Sequence, residues 1–178
     1  MIEQLERVVA EIGDINSKLV LLVGASGTGK TKLLRELGGR LHIEPLNVGL
    51  ELGRRLAATP NNKRGFSAGE LLRDIAERER SDDPLLLDNL ELLFEKSLQI
   101  NPLDLVKRLA HSKRVVAVWP GELRADRLVY ADREPCSRYA RVQRYAPRPR
   151  QTKNLAAIRP PPLEKLQPRS NKSPSLNA

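Results

Sequence analysis

Leu19-Val20-Leu21-Leu22-Val23-Gly24-Ala25-Ser26-Gly27-Thr28-Gly29-Lys30-Thr31 is the stretch whose reading decides the fold. Its first five residues form an unbroken apolar run, the pattern of a strand covered on both faces. The next eight match G-x-x-x-x-G-K-[ST] without a mismatch, and helical spacing follows over about 29–41. Glycines at 24, 27 and 29 let the backbone curl until its N–H groups converge on phosphate oxygens. The helix that begins there adds the partial positive charge of its N-terminus. Lys30 is placed to reach the β- and γ-phosphates as a point charge, and the Thr31 hydroxyl to ligate Mg²⁺. The expectation is a P-loop in which Gly24, Ala25, Ser26, Gly27, Thr28, Gly29, Lys30, Thr31 and Lys32 hold a purine nucleoside triphosphate with Mg²⁺. The plain alternative is a glycine-rich strand-to-helix turn followed by a chance Lys-Thr pair.

Outward from this stretch, strands and helices alternate. Residues 2–12 carry Ile2, Leu5, Val8, Val9 and Ile12 on one helical face, with Gly13 as the stop. A second strand is expected over 45–50, running into a helix around 51–58, with a loop at 61–65. Ser67 and Glu70 have capping-box spacing and open a helix over 68–80. A third strand is expected over 84–87, a helix over 102–111, a fourth strand over 114–119 and a weak fifth over 127–131. Strands separated by helices imply right-handed crossovers and a mainly parallel sheet between helix layers. The expected architecture is a three-layer α/β P-loop NTPase core with five strands, spanning 1–131. No C-terminal helical lid is expected.

Composition bounds what this core is made of. The chain has 178 residues, the size of one ordinary domain, and aromatics make up only 3% of it, so the core must be built from Leu, Val, Ile and Ala. No apolar run approaches the ~18 residues of a membrane span, and the first 18 residues mix acids with Leu and Val, unlike a secretory signal. A single cysteine, Cys136, makes no internal disulfide. A cytoplasmic protein is expected. The net charge of +9 is unevenly placed: residues 1–131 hold 20 Lys/Arg against 19 Asp/Glu, whereas residues 132–178 hold 11 against 3. The segment 132–178 also holds 8 of the 13 prolines and shows neither helical nor strand periodicity, so it is expected to be a mostly disordered basic tail.

A P-loop calls for an acidic partner at the tip of another buried strand. Leu85-Leu86-Leu87-Asp88 supplies it, with Asp88 on the Mg²⁺ beside Thr31, unless it is a simple helix N-cap. Many related ATPases place a glutamate directly after that aspartate to orient the attacking water. Here Asn89 stands in that position, and Glu91 is the nearest carboxylate. Asparagine positions water but takes no proton, a step typically worth about 10²–10⁴ in rate. Any ATPase is therefore expected to be slow or to need a partner; Glu91 is also readable as an ordinary helix-start acid facing solvent. The strand at 114–119 is expected between the P-loop strand and the Asp88 strand. At its tip Trp119 reads as packing more readily than as a cover for the nucleotide, and Glu122 is a further candidate for polarising water. Arg124 and Arg127 are the candidates for an arginine finger acting in trans, with surface charge as the bland alternative.

The segments 46–52 (LNVGLEL), 85–94 (LLLDNLELLF) and 116–123 (VAVWPGEL), with their spacing behind the P-loop, resemble the BrxF family, the small P-loop proteins of BREX bacteriophage-defence islands. The resemblance covers roughly residues 15–131. It implies an AAA-like core, a bacterial cytoplasm and a part in an anti-phage system. It also implies nucleotide binding by residues 24–31, with Asp88 as the Mg²⁺-side acid. Partners would be other defence proteins or further copies of the chain. The tail departs from the resemblance: it reads either as a basic arm on DNA phosphates, with Tyr139 and Tyr145 stacking on bases, or as a dispensable terminus. Two other classes stay open, a DNA-associated AAA-type ATPase and a small-molecule or nucleotide kinase. The kinase lacks the arginine-rich lid expected between later strands, and the absence of an N/T-K-x-D guanine-reading motif leans toward ATP.

Overall fold

A computed structural model describes residues 1–14, 18–80, 82–124, 127–130, 143–144 and 156–159. The run at 19–23 becomes strand β1 (Leu19–Val23), buried along its whole length. Alternate residues face opposite ways, as strand geometry requires. Leu19, Leu21 and Val23 join one apolar cluster, while Val20 and Leu22 join another on the far side of the sheet. The absence of a polar residue from the run is thereby explained.

Four parallel strands make the centre of the sheet: β2 (Leu46–Asn47), β3 (Leu85–Asp88), β4 (Val115–Val118) and β1, in the order β2-β3-β4-β1. As expected, β4 lies between β1 and the Asp88 strand. Helices α1 (Ile2–Glu11) and α2 (Lys30–Leu41) cover one face of this sheet through Leu5, Val9, Leu34 and Leu37. Helices α3 (Val48–Ala57), α4 (Arg64–Arg78) and α5 (Pro102–Ser112) cover the other through Val48, Leu52, Leu72, Ile75 and Val106. The protein is thus an α/β structure with helices on both faces of a parallel sheet. Every parallel strand ends on the same edge, so the residues after β1, β3 and β4 are gathered there.

Several boundaries differ from expectation, each for a physical reason. The second strand is only two residues long, because the Asn47 side chain accepts a 3.0 Å hydrogen bond from the Leu50 amide and caps α3 at once. Helix α4 starts at Arg64, so Ser67 lies inside it and caps nothing. The earlier start is tertiary in origin. The Arg64 guanidinium donates to the carbonyls of Leu56 and Thr59 at 2.8 and 3.0 Å, and the missing side chain of Gly65 lets α4 approach the Leu98 carbonyl.

The fifth strand is the main correction. A strand does form at β6 (Arg127–Tyr130), but it pairs antiparallel with β5 (Gly121–Arg124) in a separate hairpin. The place beside β1 is taken by β8 (Ala156–Arg159), running antiparallel, with β7 (Gln143–Arg144) outside it. These two short strands fall within 132–178, where no strand was expected. Ala156-Ala157-Ile158 is apolar in a Pro- and Arg-rich setting, too short to register as a periodicity. Cys136, Tyr139 and Tyr145 lie outside the described residues. No helix among those described is long and apolar enough to cross a membrane.

Candidate functional site

Where β1 ends, the Gly24 amide donates to the Gly121 carbonyl at 3.2 Å, tying the start of the glycine-rich loop to the β5–β6 hairpin. Gly27 and Gly29 have φ of 78° and 88°, a left-handed backbone that a side chain would strain. Between them the Thr28 hydroxyl donates to the Ala25 carbonyl at 2.9 Å. Gly29 then caps α2, and its carbonyl accepts the Leu33 amide at 2.9 Å. Ala25, Ser26, Gly27 and Gly29 are exposed and line a cavity, so a solute has access to the loop and to the N-terminus of α2.

Lys30 is the first residue of α2, and its side chain turns back under the loop. Its ammonium donates to the carbonyls of Gly24 at 2.6 Å and Ala25 at 2.8 Å. Only 8% of the residue is exposed. Burial therefore pulls the amine below the usual lysine value, opposed by the charges of Glu91 and then Glu122. An anion placed against the loop would supply what this buried cation lacks.

The next residue of α2 is Thr31, whose hydroxyl donates to Asp88 Oδ1 at 3.1 Å. Asp88 is buried at the end of β3, and the same oxygen accepts the Asn89 amide at 3.0 Å. Asn89 has φ of 55° and ends the strand, turning the chain into the 3₁₀ turn Leu90–Phe94. No group of three or more metal-ligating side chains occurs among the described residues. A hydroxyl beside a carboxylate is a pair of hard oxygen donors, and Mg²⁺ commonly takes one or two such protein ligands and completes its shell with phosphate and water. The pair fits that ion.

These groups line one cavity of about 610 Å³. Residues 25–31 form one wall, with Asp88, Asn89 and Glu91 from the end of β3. Val118, Pro120, Gly121 and Glu122 enter from β4 and β5, and Val129 and Tyr130 from β6. Of the residues singled out by the sequence, Lys32 is exposed on α2 and does not line the cavity. Trp119 is fully buried and meets Phe94 edge-on, with ring centres 5.1 Å apart, so it packs the core and covers nothing. Arg124 and Arg127 are register partners at the far end of the hairpin, away from the lining residues; their side chains fall outside the described parts.

Tyr130 was not anticipated. Its ring stacks on Phe94 at 4.0 Å, which fixes the β6 end of the hairpin against the turn after Asp88. The available signal was the VAVWPGEL segment followed within a few residues by RLVY, an apolar strand breaking into a second extended piece.

Comparison of the chain with protein families, with curated proteins and with solved structures finds no match.

Proposed function

We propose that the protein is a Mg-ATP-binding P-loop protein with low or partner-stimulated ATPase activity, acting as a regulatory component of a bacterial anti-phage defence complex of the BREX kind. The nucleotide part rests on one arrangement above all: the buried Lys30 ammonium beneath a loop with two left-handed glycines, and the Thr31–Asp88 pair beside it. In this reading the loop amides and the N-terminus of α2 hold the phosphate oxygens, and Lys30 lies along the β- and γ-phosphates. Thr31 and Asp88 hold the Mg²⁺, which would neutralise charge developing on the phosphates. Asn89, directly after Asp88, takes no proton, so turnover depends on a proton acceptor supplied from elsewhere in the cavity or by a partner. The sheet order and helix layers suit a three-layer P-loop core of the AAA-like kind. The defence role rests on the resemblance of the three sequence segments, and implies a cytoplasmic site of action with other defence proteins or further copies of the chain as partners.

Titration with a fluorescent ATP analogue in Mg²⁺, for wild type and Lys30→Ala, tests the nucleotide reading. Saturable binding lost in Lys30→Ala is expected. A folded wild-type protein that takes up neither ATP nor GTP at millimolar concentration would remove it. Addition of DNA to the ATPase assay separates the alternative class, since a DNA-associated ATPase would be stimulated.

A further inference from the structure

We infer that Glu122, on the β5–β6 hairpin, is the carboxylate that activates the attacking water, in place of the residue after Asp88. This deepens the nucleotide reading and depends on it. In the hydrolytic step, the water oxygen bonds to the γ-phosphorus as the bond from that phosphorus to the β–γ bridging oxygen breaks. The water proton passes to the Glu122 carboxylate, ADP and inorganic phosphate form, and the proton then returns to solvent.

Two carboxylates in the cavity act on Lys30, Glu91 more strongly than Glu122. Their settings differ. Glu91 is exposed on a 3₁₀ turn, while Glu122 is half-buried on a strand. Glu122 pairs in register with Val129, and its neighbour Gly121 accepts the hydrogen bond from Gly24, the first residue of the phosphate loop. That bond fixes the Glu122 backbone directly beside the loop, next to where Lys30 would meet the terminal phosphate. A base on a paired strand is held more firmly than one on an exposed turn, and a screened carboxylate competes less with bulk water. The stronger pull of Glu91 on Lys30 suits a different task, a counter-charge for the ammonium before a triphosphate arrives.

Asn89 leaves no proton acceptor directly after Asp88. The Asn89 main-chain N–H donates to Asp88 Oδ1 and its backbone is left-handed, so the position after Asp88 serves to shape the turn. Base function then falls to the hairpin, which also carries Arg124 and Arg127. A partner that moves the hairpin would move the base, giving the partner dependence a structural origin.

The test measures single-turnover phosphate release and Mg-ATP affinity for wild type, Glu122→Gln, Glu91→Gln and Glu122→Ala, with folding followed by the fluorescence of Trp119, the only tryptophan. The expected result is a 10²–10⁴-fold fall in rate for Glu122→Gln, about the value of general-base catalysis, at affinity unchanged within about threefold. Glu91→Gln should slow phosphate release less than Glu122→Gln does, and the reverse order overturns the assignment. Added formate should restore part of the rate to Glu122→Ala, which a merely structural role would not permit. A rate retained in Glu122→Gln, or a wild type that binds Mg-ATP without ever turning it over, overturns the assignment while leaving nucleotide binding intact. Absence of binding in the wild type overturns both.

Discussion

The Thr31 hydroxyl and the Asp88 carboxylate, 57 residues apart in the chain, meet at 3.1 Å across the edge of the parallel sheet. Two crossovers bring them there: α2 begins directly after β1, and β3 ends one strand beyond β4. If this pair holds Mg²⁺, the ion replaces a hydrogen bond with two metal–oxygen bonds. Asp88→Ala and Thr31→Ala should each weaken ATP binding in Mg²⁺ by about 10–100-fold, the value of a lost interaction with a charged group. Binding in EDTA should change far less. Calorimetry with and without Mg²⁺ checks this, and equal losses under both conditions would remove the metal role.

Lys30 makes a prediction about pH. Its amine is held below the usual value of 10.5 because it is buried. Between its folded value and 10.5 the unfolded chain binds more protons than the native one, so the stability of the ligand-free protein should rise with pH across that window. Urea unfolding over an alkaline pH series measures the slope. Lys30→Met should flatten it, and an unchanged slope would place the titration elsewhere.

Gly121 has no room for a side chain. A Cβ there would overlap the Val129 carbonyl across the hairpin, whereas at Gly53, in the middle of α3, the nearest atom is 3.7 Å away on a flexible leucine. Gly121→Ala should therefore destabilise the protein by about 1–3 kcal/mol or more. Gly53→Ala should be neutral or stabilising by about 0.5–1 kcal/mol, as alanine generally is over glycine inside a helix. Thermal unfolding of the two variants side by side is the measurement, and a Gly121→Ala melting at or above the wild-type temperature would contradict the packing described.

The indole of Trp119 is fully buried, yet its Nε1 has no hydrogen-bond partner among the described residues. Removing the N–H should thus be cheap and removing the ring expensive. Trp119→Phe is expected to cost well under half of what Trp119→Ala costs, the latter being about 3–5 kcal/mol for a large aromatic in a core. Similar losses in the two would point to a hydrogen bond at Nε1.

Pairing of Ala156, Ala157 and Ile158 with Val23, Leu22 and Leu21 covers the outer edge of β1. A chain ending at residue 131 would leave that edge open, and open apolar edges invite pairing between molecules. The shortened chain should melt lower and elute larger in size-exclusion chromatography than the full chain. Identical behaviour would mean that the pairing contributes nothing in solution.

Much of the site was legible without coordinates, because its parts are local. The glycines at 24, 27 and 29 and the Lys30-Thr31 pair follow one another directly after β1, and the geometry of a strand–loop–helix junction is a property of a dozen consecutive residues. The same holds for β3 with Asp88 at its tip, since an apolar run closed by a single acid needs no partner to be seen. Helix α4 marks the limit. Its true start depends on Arg64 reaching carbonyls of the preceding loop and on Gly65 meeting Leu98, contacts that no local pattern encodes.

By itself, then, the sequence determined the alternation of strands and helices, the burial of β1 on both faces, the glycine-rich turn at 24–31 and the acid that closes β3 at residue 88, all set by periodicity and by the conformational freedom of glycine. Only the tertiary structure decided where the chain after β4 goes. The strand at 127–130 turns back on Gly121–Arg124 instead of joining the sheet, and Ala156–Arg159 takes the place beside β1. Strand propensity says that a segment is extended; which edge it pairs with depends on residues far away, here the Gly24–Gly121 bond and the Tyr130–Phe94 stack that hold the hairpin over the cavity.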